Sequence, residues 1–74
     1  MMTAREIGRI VGAAMARDEM AEGRYSEWTG LDAQDGDKLA LAGLTPDTPE
    51  WADAEATARN EYEYLIACRK PLAR

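Results

Sequence analysis

The sequence predicts an all-α domain: two long helices, about residues 4–22 and 49–69, packed together with a short helix, about 32–42, across them. Three observations carry this expectation. Apolar residues return at steps of three and four along the first and last thirds of the chain, the period of a helix that buries one face. Both stretches are bracketed by residues that start and stop helices. Nothing alternates at period two and β-branched residues are sparse, which argues against strands.

The last third is the most fully signposted. Thr48 can accept from a free N–H of the first turn, and Pro49 suits the opening position because its missing N–H would be unpaired there. Pro71 biases Lys70 away from helical geometry and stops the helix. Trp51, Ala54, Ala58, Tyr62, Leu65 and Arg69 form the stripe that needs a partner, with Trp51 and Tyr62 expected inside and Cys68 expected to be a small packing residue.

In the first third, Thr3 and Glu6 match a capping box ahead of an apolar run. Ile7, Ile10, Val11, Ala14 and Ala21 mark the expected inner face, Arg9, Arg17, Glu19 and Glu22 the solvated one, and Gly23 the cap. Ala4, Gly8, Gly12 and Ala16 recur at a strict four-residue step. Small residues so spaced leave a groove, and Gly8, Gly12 and Ala16 are its candidate packing residues. Two glycines inside a helix cost about 1 kcal/mol each relative to alanine, so close backbone approach is the reason to expect for them. Packing within the chain is favoured over dimerisation, although both fit the motif.

Between these helices, Tyr25 to Gly30 reads as a loop that brings Tyr25 and Trp28 to the open end of the core. The short helix has acids in its opening turns, Leu39 and Ala42 inside, and Gly43 past its end. Leu44 to Pro49 is a proline-stiffened connector. The direction of the long pair stays open, but a short middle helix bridges an antiparallel pair more easily than a parallel one.

A chain of 74 residues makes one domain, and its hydrophobic 46% includes fourteen alanines, so the core is lean and a partner or dimer would supplement it. Mean hydropathy is −0.50, and no apolar run approaches the roughly 20 residues a bilayer demands. Arg5 and Arg9 ahead of the short run ending Ala14-Met15-Ala16 imitate a secretion signal, but Glu6 and the scarcity of bulky apolar residues favour an amphipathic helix. Cys68, the only cysteine, cannot form an internal disulfide, which fits a reducing cytoplasm.

Most familiar chemistry is missing. Without histidine and with one cysteine, the usual zinc sets, Cys–His pairs and Ser–His–Asp triads cannot be assembled. Asp32 to Asp37 lacks calcium-loop spacing, no Gly-rich phosphate loop is present, and the neighbours Glu61, Tyr62, Glu63 and Tyr64 point different ways on a helix. The expectation is no enzyme, no cofactor and no metal.

Charge is the feature with content. From Asp18 to Glu63 the chain carries thirteen acids against Arg24, Lys38 and Arg59, while the flanks are basic. Antiparallel helices would gather the basic flanks at one end; parallel ones would partly neutralise each other. An acidic face repels phosphate, so direct nucleic-acid binding is disfavoured, with Arg5, Arg9, Arg69 and Lys70 the only basic candidates for it. The complementary partner is a basic protein. In size, acidity and lack of catalytic residues the chain is similar to small phage-encoded inhibitors, anti-CRISPR proteins among them, and to some acidic antitoxins. That similarity implies an inhibitor that mimics nucleic acid on a basic, nucleic-acid-handling surface. Its candidate contacts are Asp32, Asp35, Asp37, Glu50, Asp53, Glu61 and Glu63, with Trp28 and Tyr64 as anchors. The alternative is a homodimerising or subunit-bridging helical adaptor using the Gly8/Gly12 groove.

Overall fold

The computed structural model describes residues 2–70, which form three helices and no strand: α1 (Ala4–Ala21), α2 (Ala33–Leu41) and α3 (Pro49–Arg69). Each end follows from local chemistry. Thr3 Oγ1 accepts from Glu6 N at 3.2 Å while Thr3 N donates to Glu6 Oε1 at 3.3 Å, completing the capping box. Asp32 caps α2 by accepting from Asp35 N at 2.8 Å, and Thr48 caps α3 by accepting from Trp51 N at 3.3 Å. Both α1 and α2 end in Schellman turns: Arg24 N donates to Glu19 O at 2.9 Å, and Leu44 N to Leu39 O at 3.1 Å. The α3 helix ends where Lys70 turns extended at ψ 128°, the geometry favoured before a proline; Pro71 itself lies outside the described residues.

The two long helices run parallel. Gly8 faces Ala54, Gly12 faces Ala58 and Arg5 reaches Asp53, so position along one helix rises with position along the other. The expectation that a short middle helix bridges an antiparallel pair is therefore corrected. An 18-residue helix is about 27 Å long. The extended segment after Gly23 can span that length on its own at about 3.3 Å per residue. The return leg is thus an irregular strap, residues 24–31, followed by α2, and no full-length middle helix is required.

The helix seam is set by small residues on both sides. A Cβ built on Gly8 would lie 2.9 Å from Ala54 Cα, one on Gly12 2.8 Å from Ala58 Cα, and each closer still to the facing carbonyl oxygen. The groove of Gly8, Gly12 and Ala16 is filled from within the chain. Its row of four-residue steps meets a matching row on α3, Ala54, Ala58, Tyr62 and Ile66, all buried. This explains why Ile66, rather than Leu65 or Arg69, completes the stripe: after Tyr62 the close row continues by four.

Two clusters share the seam. Ile7, Val11, Ala54 and the fully buried Leu39 form one under α2, with Trp51, Leu31 and Leu44 at its margin. Ala16, Tyr62 and Ile66 form the other under the strap, with Tyr25, Trp28 and Leu65 packed against it. Met15 touches both. Several expectations fail here for one reason: three helices cover only part of each circumference. Ile10, on the far side of α1, is 55% exposed; Ala21, Ala42 and Cys68 also face solvent, and Trp51 is half-buried.

Candidate binding cleft

The parallel arrangement breaks up the acidic row expected from sequence. Asp53 pairs with Arg5 at 3.3 Å beside Glu50 at one end of the molecule. Glu63 pairs with Arg59 at 3.3 Å on α3. Glu61 is half-buried, Asp37 is exposed on α2, and Tyr64 stands 63% exposed on the outer face of α3. These residues do not converge. Of the basic flanks, Arg5 reaches the acidic stretch through Asp53; within that stretch Arg24, beyond the end of α1, binds Glu19 at 2.6 Å and also Glu22.

What does converge is a cleft of about 450 Å³ between the C-terminal half of α1, the strap and the start of α2, walled by Tyr62. Five carboxylates line it: Asp18 and Glu19 from α1, Glu27 from the strap, the cap Asp32 and Asp35 at the start of α2; the cations are Arg24 and Lys38. Both cations are engaged, Arg24 as above and Lys38 with Asp35 at 3.6 Å. Among the described residues no cation lies within ion-pair distance of Asp18, Glu27 or Asp32.

Asp35 is buried, which corrects its expected place among the partner contacts. It is 7% exposed because it sits four residues before Leu39 on α2 and so shares the face that Leu39 turns into the core. Burial, more than its hydrogen bond and repulsion with Asp32, pushes its carboxyl above the usual range. Asp32 moves the opposite way, held low chiefly by the Asp35 N–H it caps. The two oppositely shifted carboxyls make Asp35 the member that keeps its proton longer and can donate to Asp32.

Trp28 is half-buried rather than free, edge-on to Tyr62 with ring centroids 5.5 Å apart, and Tyr62 donates its hydroxyl to Ser26 O at 2.7 Å. Burial raises the Tyr62 phenol further, with nearby Glu19 adding to it. Trp28, Ser26, Glu27 and Tyr62 also line a second cleft of about 330 Å³ on the opposite side of the strap, where Arg59, Glu63 and Lys70 give a mixed charge. Sequence alone does not single out Asp18 and Glu27, because only the path of the strap brings them to the cleft that Asp32 lines. Asp35 was legible: the Asp35–Leu39 spacing was available.

Among the described residues no group of three or more His, Cys, Asp or Glu side chains could hold a metal ion, and no helix is long and apolar enough to cross a membrane. No family model, no curated protein and no solved structure matches the chain.

Proposed function

We propose that the protein is a non-catalytic binding protein of the inhibitor type, which occupies a basic surface of a nucleic-acid-handling protein. One observation carries this reading: Asp18, Glu27 and Asp32 border a single cleft with no cation among the described residues within ion-pair distance of them, next to the half-buried indole of Trp28. A basic side chain entering there meets carboxylates that no cation pairs with directly, and can lie against an aromatic wall. The binding surface is thus displaced from the α3 row toward the cleft, keeping Asp32 and Trp28 and adding Asp18 and Glu27. Asp35 contributes from beneath by positioning Asp32 and Lys38, not by touching the partner.

The test is titration with a polyarginine peptide, followed by backbone amide shifts. Shifts should concentrate on Asp18, Glu27, Trp28 and Asp32, and affinity should fall about tenfold between roughly 0.05 and 0.3 M salt as screening shortens. Combining Asp18→Lys with Glu27→Lys should remove the binding. Shifts centred on Glu50 and Asp53, or binding that survives the double reversal, would refute the cleft as the site. The nucleic-acid-mimic component has its own readout: proteins retained by the immobilised chain at low salt should be released by duplex DNA and not by a neutral polymer.

A further inference from the structure

We propose that residues Arg24 to Gly30 form a hinged strap that opens as a unit while α1 and α3 stay packed, merging the two clefts into one trough. Among the described residues, no backbone–backbone hydrogen bond involves the strap from Tyr25 to Leu31, so lifting it breaks no ladder. It is bounded by Gly23 at φ 75° and Gly30 at φ 102°, left-handed conformations that glycine adopts without strain, and a Cβ at either position would meet open space. At the hinge it is held by the Schellman bond from Arg24 N to Glu19 O and the ion pairs of Arg24, and beyond the hinge by side-chain packing of Tyr25 and Trp28 and the bond from Tyr62 to Ser26 O.

The floor beneath is Ala16, Tyr62 and Ile66, and the wall between the clefts is the strap itself, since Ser26, Glu27 and Trp28 line both. Lifting the strap gives the Tyr62 hydroxyl and Ser26 carbonyl to water, leaving neither buried without a partner. The seam of Gly8 and Gly12 against Ala54 and Ala58 is backbone against backbone and does not involve the strap. Opening is therefore a local event of the kind that separates a weakly tied segment from a packed core. It needs no partner. Its effect on the acidic cleft, from which Glu27 would depart with the strap, rests on the binding reading above.

The experiment compares two signals during urea titration of the Trp51→Phe variant, in which Trp28 is the only indole. Trp28 emission should shift to the red at lower urea than the loss of far-ultraviolet helical signal. Tyr62→Phe in that background should move the Trp28 transition alone, raising the open population about fivefold, the effect of one neutral hydrogen bond. Coincident transitions in both proteins would overturn the proposal. Should Trp51→Phe fail to fold, Trp28 ring resonances of the wild-type chain, read against α1 amides, make the same comparison. Because polyarginine binding and strap opening are separate readouts, failure of one leaves the other standing.

Discussion

The two halves of the helix seam are covered in different ways. Under α2, Leu39 drives a fully buried side chain between Ile7, Val11 and Ala54, delivered by a helix capped at both ends. Under the strap, Trp28 and Tyr25 lie half-buried on Ala16, Tyr62 and Ile66, delivered by a backbone with no ladder of its own. The larger side chains thus cover the weaker half. Burial alone does not set local stability; a side chain contributes fully only when the backbone carrying it is held elsewhere.

Substitutions can break or sharpen this contrast. The largest effect lies beneath both halves: Gly12→Leu drives a side chain into the Ala58 backbone and should abolish cooperative thermal unfolding, since the clash exceeds what a domain with a stability of about 5 kcal/mol absorbs. Leu39→Ala should cost about 4 kcal/mol by chemical denaturation, near the upper part of the range for a fully enclosed leucine. Trp28→Ala removes a bigger side chain yet should cost about 2 kcal/mol, because only part of the indole leaves water. If Trp28→Ala proves costlier than Leu39→Ala, the contrast between halves collapses.

The smallest effect concerns pH. The raised carboxyl of Asp35 favours folding in its protonated form, a contribution present below the ordinary aspartate range and lost as pH rises through the raised folded value. Asp32 acts oppositely, stabilising above the ordinary range and losing that contribution as pH falls through its lowered value. Asp35→Asn should therefore add about 1 kcal/mol at neutral pH by relieving a buried charge and flatten the pH dependence on the acid side of neutrality. A denaturation series across pH reads both; an unchanged slope would mean the pair does not titrate as its burial implies.

The helix boundaries were legible because capping is local chemistry: Thr3 with Glu6, Asp32, Thr48 with Pro49, and Gly23 and Gly43 each act within one turn. The small-residue seam was legible too, since close approach leaves its mark as glycine at helical spacing. Direction was not. It depends on whether the segment after Gly23 crosses over or runs back, and an extended strap looks like any loop in sequence. The site suffered from the same gap, because Asp18, Glu27 and Asp32 meet only through that path. Ile10 and Cys68 were misplaced because helical periodicity identifies an apolar arc without saying how much of it three elements can cover.

Parallel alignment has one more consequence. Two long helices lying side by side in the same direction add their macrodipoles, gathering partial positive charge at one end of the molecule and partial negative charge at the other. Glu6 and Glu50 occupy the first turns of α1 and α3, and Arg69 the last turn of α3. The basic tip at Arg69 and Lys70 therefore has an internal task, to offset the helix ends beside it, which needs no phosphate to explain it.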